Sequence, residues 1–119
     1  MDFPLEITFR GIDPSAAVEA RIRDKAAKLC QYDERVIRGE VVIETPHRHH
    51  HKGRMFHVRI TLTVPGGMVV TRREPHQRHG HEDIYIAIRD AFDDATRQLE
   101  DRVRRQRGDI KFHALPALG

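Results

Sequence analysis

Residues 55–72 read Met55-Phe56-His57-Val58-Arg59-Ile60-Thr61-Leu62-Thr63-Val64-Pro65-Gly66-Gly67-Met68-Val69-Val70-Thr71-Arg72. Phe56, Val58, Ile60, Leu62 and Val64 fall on one side of a period-two pattern, and His57, Arg59, Thr61 and Thr63 on the other. Side chains alternate across a strand, so this segment is a strand with one buried and one wet face. Pro65-Gly66-Gly67 then turns the chain, because proline presets a turn dihedral and glycine tolerates positive φ. Met68 to Arg72 is the returning strand of the hairpin.

Upstream, a second strand is centred on Val41-Val42-Ile43, runs near 38–45 and ends at Pro46. Leu5, Ile7 and Phe9 alternate with Glu6, Thr8 and Arg10 and predict a half-buried first strand. Gly11 to Pro14 breaks it. Asp13 and Ser15 are candidate N-caps, and Pro14 suits a helix start. Val18, Ile22, Ala26 and Leu29 recur at helical spacing, predicting a helix to about Tyr32. Downstream, Glu82 and Asp83 open a long helix whose apolar stripe is Ile84, Ile88, Phe92, Ala95, Leu99 and Val103, with Gly108 as its stop.

The order is therefore β-α-β-β-β-α. The fold class is α+β: a two-layer sandwich in which a four-stranded mixed sheet carries two helices on one face. The first and second strands, joined through a helix, should run parallel with a right-handed crossover if they are neighbours. There is no internal repeat and no linker. Residues 1–108 are expected to form a single domain and residues 109–119 a C-terminal tail.

The chain has 119 residues, 39% hydrophobic and 33% charged, which suits one globular core and excludes a disordered chain. The lone thiol, Cys30, has no internal disulfide partner. Met1-Asp2-Phe3-Pro4 has no basic start and no long apolar run, so no signal peptide is expected, and no apolar run reaches membrane length. A cytoplasmic, membrane-free protein is expected. No nucleophile elbow, phosphate-binding glycine loop with lysine, or zincin motif is present. No enzyme activity, cofactor, resident metal or small-molecule substrate is expected.

The net charge is +3 and the pI about 9.4. Arginine outnumbers lysine 17 to 4, and guanidinium is the better bidentate phosphate binder. The expected partner is a polyanion. In the last helix, residues 82–96 sum to −4 and residues 97–107 to +3. Matching the helix dipole, acids first and bases last, is one explanation of this split, although one or two arginines would suffice for it. The alternative is a phosphate-contacting end made of Arg97, Arg102, Arg104, Arg105 and Arg107. On the first helix Arg21, Lys25 and Lys28 flank the apolar stripe, either as a solvated face or as a ridge along a phosphate backbone. Both sets on one sheet face would make a continuous basic surface that reads phosphate and shape, not base sequence.

His47, His49, His50 and His51 lie among Arg48, Lys52 and Arg54, and His76, His79 and His81 follow Arg72 and Arg73 and surround Arg78. A zinc site is one alternative, but the spacing is poor and no cysteine pair accompanies it. The others are a plain polar loop or loops that contact RNA, histidine gaining charge beside phosphate. Arg48, Lys52, Arg54, Arg72, Arg73 and Arg78 are the loop candidates.

Three segments carry a family likeness. Lys25-Ala26-Ala27-Lys28-Leu29-Cys30-Gln31-Tyr32 follows K-x-A-K-L-x-Q-Y; Val64-Pro65-Gly66-Gly67 follows V-x-G-G; Asp83-Ile84-Tyr85-Ile86-Ala87-Ile88, with Arg97-Gln98-Leu99, follows D-x-Y-x-A-I and R-Q-L. Over residues 5–107 the chain resembles the ribosome hibernation-promoting factors, also called ribosome-associated inhibitors or sigma 54 modulation proteins. The resemblance implies binding of the small ribosomal subunit and its rRNA near the decoding centre. It also implies a block of messenger and transfer RNA sites in starvation and storage of inactive ribosomes. By position it assigns RNA contact to Lys25, Lys28, Arg97, Arg105 and Arg107, with Arg102 at a variable basic position; Asp101 and Val103 depart from a lysine pattern. The chain looks like a short form, for which ribosome dimerisation would need a separate factor. The rival functions are a general double-stranded RNA binder and a His-rich metal-binding protein.

Overall fold

The computed structural model describes residues 3–29, 35–45, 56–73 and 83–105. In chain order these form β1 (Leu5–Arg10), α1 (Ala16–Leu29), β2 (Arg38–Glu44), β3 (His57–Val64), β4 (Gly67–Arg73) and α2 (Ile84–Arg104). The strands make one sheet in sequence order. β1 pairs parallel with β2, while β2–β3 and β3–β4 are antiparallel. The helical crossover makes the first pair parallel, and the tight turn makes the last pair antiparallel. The α+β sandwich read from the sequence is the fold observed.

Register fixes two different faces. Leu5, Gly39, Leu62 and Val69 form one row across the sheet, and Ile7, Val41, Ile60 and Thr71 the next. These rows meet the helices. Val41, Ile43, Ile60 and Leu62 are essentially inaccessible, and they share one core with Ile22, Leu29, Ile88 and Leu99 from the helices. Each such side chain contributes about 1.5–3 kcal/mol on burial. Gly39 is a glycine for packing reasons: a Cβ there would lie 3.0 Å from Phe3 Cε1 and 3.1 Å from Leu5 Cδ1.

Ser15 caps α1, its Oγ accepting from the Val18 amide at 3.2 Å. Asp83 caps α2, its Oδ1 accepting from the Tyr85 amide at 2.9 Å. Ser15, not Asp13, is thus the N-cap of the first helix, and Asp83 stands outside the helix it was expected to open. The α2 stripe also differs in composition. Ala87 and Ala91 are fully buried beside Ile88 and Phe92, while Ile84 is only half-buried. Small residues let the helix sit close to its neighbours, which a search for large apolar residues overlooks. Gly108 lies outside the described residues.

The two helices run the same way. α1 carries the chain from the Arg10 end of β1 back to Arg38, whose neighbour Gly39 is level with Leu5, so α1 opposes β1. α2 starts after β4 ends at Arg73, and its Arg102 meets Pro65 at the opposite end of the sheet. Both helix C-termini therefore point to the β3–β4 turn. No helix among the described residues is long and apolar enough to cross a membrane.

Candidate nucleic-acid interface

On α1, Arg21 is exposed and its guanidinium carbon stands 4.7 Å from the centre of the Tyr85 ring on α2. Such a cation–π contact, worth about 0.5–1 kcal/mol at an exposed site, ties the helices together near the start of α2. Lys25, one turn on, is half-buried and has no ion-pair partner among the described residues. Lys28 is exposed, with Asp24 3.8 Å away.

On α2, Arg97 pairs with Asp94. Arg104 and Arg105 share one carboxylate, Asp101, at 2.9 and 3.6 Å. Arg102 does something else: its Nη2 donates to the Pro65 carbonyl oxygen at 3.2 Å. Shared direction places Lys28, Arg97, Arg104 and Arg105 toward one end of the helix layer. The layer is not a bare cationic ridge, however, because a carboxylate one turn away answers most of these cations. These pairs are exposed and about 0.3–0.5 kcal/mol each in worth, so a phosphate can displace the carboxylate. Arg102 is spent on the hairpin.

Of the loop candidates, Arg48, Lys52, Arg54 and Arg78 lie outside the described residues, as do Arg107, Cys30 and both histidine clusters; of Arg73 only the backbone is described. The described flanks of the two histidine-rich segments, Thr45 and Phe56, Arg73 and Asp83, sit at the end of the sheet away from the helix C-termini. Arg72 is exposed on the sheet face that no helix covers, directly across from Arg59. Arg59 was not a candidate from the sequence. Its position on the wet face was readable from alternation, but its pairing with Arg72 depends on the register set by the turn.

The family-like segments hold the fold as much as any site. Ala26, Leu29, Ala87, Ile88 and Leu99 are core residues. Gln98 donates from Nε2 to Thr71 Oγ1 at 3.0 Å, satisfying the buried hydroxyl beneath α2. Of the cations in these segments, Lys28 and Arg97 are exposed and Lys25 is half-buried.

Comparison with known proteins agrees with this layout. Residues 5–107 match the family model described as Sigma 54 modulation protein / S30EA ribosomal protein. No curated protein sequence matches the chain. Among solved structures, the N-terminal domain of Thermus thermophilus Protein Y superposes with a TM-score of 0.64 at 22% identity, covering 81% of this chain and 93% of that one. A ribosomal subunit interface protein from Coxiella burnetii superposes with a TM-score of 0.66 at 15% identity, covering 83% and 96%. At such identities the likeness is one of fold.

Proposed function

The chain belongs to the Sigma 54 modulation protein / S30EA ribosomal protein family, a family of ribosome-associated factors, and from that premise we propose that it inhibits translation by occupying the small subunit. It acts as a folded wedge near the decoding centre of the cytoplasmic ribosome, covering messenger and transfer RNA sites under stress. No chemistry is required: the block is steric, and affinity comes from phosphate contacts.

The observation that carries this is the common direction of α1 and α2, which gathers Lys28, Arg97, Arg104 and Arg105 at one end of one layer. Lys25 and Arg21 extend the set along α1, and Arg107 continues it in sequence. Helix-borne cations on a folded sandwich follow a backbone without reading bases; of the two aromatics in the described helix layer, Phe92 is buried and Tyr85 is held under Arg21.

The test is ribosome co-sedimentation of a K28E/R97E variant in low salt. Binding should weaken by several-fold or more, and the slope of log affinity against log salt should fall by about two, one for each lost phosphate contact. Unchanged co-sedimentation overturns the assignment of these residues. Competition with an isolated RNA duplex separates a ribosome-directed factor from a general duplex binder, which would bind both equally.

A further inference from the structure

The sheet face that no helix covers carries two like-charged doublets on either side of Val42, itself buried. Glu6 and Glu40 are register partners on β1 and β2, and Arg59 and Arg72 are register partners on β3 and β4. Like charges directly opposite destabilise a sheet. Among the described residues none of the four has an ion-pair partner; on this face only Arg10 and Glu44 pair, at 3.9 Å. Beside the doublets two apolar side chains of β4 stand in solvent, Met68 at 57% exposure and Val70 at 44%. Met68 is also one wall of a groove of about 440 Å³ that runs across the sheet to Pro4, with Glu6, Arg38, Glu40 and Thr63 along it.

We propose that this face docks against a second copy of itself, the two sheets meeting face to face about a two-fold axis parallel to the strands and passing between β2 and β3. That operator lays β4 of one copy over β1 of the other, and β3 over β2. The Arg59–Arg72 doublet then stands one register step along the strand from the partner's carboxylate doublet. A step is about 6.7 Å, which an arginine side chain spans. The same operation brings each Met68 over the Pro4–Arg38 end of its partner's groove. One symmetry element thus answers both doublets, the exposed methionine and the groove, as an isologous contact must.

A polyanion fits less well. It would satisfy the arginines but face the two glutamates and the exposed apolar pair. The face is also small: from strand spacing and rise it spans about 400 Å², against about 800 Å² per partner for a stable complex. The dimer is accordingly weak and concentration-dependent. It leaves the helix layer free, so it stands or falls independently of ribosome binding.

The full chain tests this by analytical ultracentrifugation from micromolar to millimolar concentration, with thermal melts confirming that each variant folds. The wild-type mass should rise toward twice that of the chain. R59E/R72E and E6R/E40R should each stay monomeric alone and associate when mixed, because the mixture restores opposite charge. Met68→Glu should abolish wild-type association while leaving both doublets in place, and should also break up the mixed pair, which distinguishes a seated methionine from bulk attraction between an acidic and a basic protein. The proposal is overturned by a wild type that remains monomeric at millimolar concentration, by association that survives R59E/R72E, or by a mixture indifferent to Met68→Glu. A monomer whose Arg59 and Arg72 resonances shift with a short RNA duplex would instead assign the face to nucleic acid.

Discussion

Arg102 donates a hydrogen bond from Nη2 to the carbonyl oxygen of Pro65, 3.2 Å away and 37 residues earlier in the chain. Its guanidinium also lies over Gly67, where an added Cβ would come within 3.3 Å of Nη2. The turn needs such support. A two-residue hairpin prefers a turn with positive φ at its first central residue, whose twist matches the strands, and Pro65 forbids it. Gly66 supplies the positive φ of 86° at the second position, a combination that tends to splay the strands. Replacing Arg102 by Met should therefore lower stability by about 1 kcal/mol, the worth of one charge-assisted bond with partial exposure. Amide exchange should quicken at Val64 and Gly67 before it does in β1. Equal protection in both strands would mean that the turn holds without the clamp.

Two glycines with positive φ differ in what surrounds them. At Gly66, with φ 86°, a Cβ would meet only the Arg102 guanidinium at 3.6 Å, whereas at Gly11, with φ 78°, it would meet the Thr45 carbonyl oxygen at 2.9 Å. Gly66→Ala should cost about 1 kcal/mol of backbone strain. Gly11→Ala should cost distinctly more, because the backbone joining the ends of β1 and β2 must also shift. Urea midpoints of the two variants check the order; the reverse order would show that the β1–β2 end yields more readily than its contacts indicate.

The fold was legible because β3 alternates without exception from Val58 to Val64, which fixes one buried face, and because both helices repeat that demand with their own period. Register was not legible. Arg59 and Arg72 are 13 positions apart in sequence, and only the turn geometry decides that they lie side by side. The helix cations were legible as residues but not as a surface. Charge counting could not say that Asp101 would serve both Arg104 and Arg105, or that Arg102 would turn back to Pro65. Side-chain choice among several nearby partners is settled in three dimensions, by differences of a few tenths of a kcal/mol.

The two helix starts rest on single side chains. Ser15 Oγ accepts from Val18, and Asp83 Oδ1 from Tyr85. Alanine at either position leaves an amide of the first turn without its acceptor and should lower stability by about 1 kcal/mol. Asp83→Ala carries a second consequence, since the Tyr85 ring at that helix start is the platform for Arg21. Loosening the first turn of α2 should therefore reduce the apparent coupling of Arg21→Met to Tyr85→Leu in a double-mutant cycle. Coupling unchanged by Asp83→Ala would place the stacking of Arg21 outside the control of the cap.

Asp101 offers the sharpest separation of binding from stability. Its carboxylate holds Arg104 at 2.9 Å and Arg105 at 3.6 Å in the last turn of α2. The negative end of the helix dipole disfavours a carboxylate there, and exposed pairs at this spacing are worth about 0.3–0.5 kcal/mol, so Asp101→Asn should change stability by no more than about 0.5 kcal/mol in either direction. Its effect on RNA should be larger and of known sign. The substitution removes one negative charge from the end of the helix layer and frees two guanidiniums from a competing acceptor, so ribosome affinity should rise a few-fold in low salt. The gain should shrink as salt is added, because extra phosphate contacts steepen the salt dependence. An affinity that stays level or falls on Asp101→Asn would mean that Arg104 and Arg105 do not face phosphate, and that ribosome binding must be sought on another surface of the sandwich.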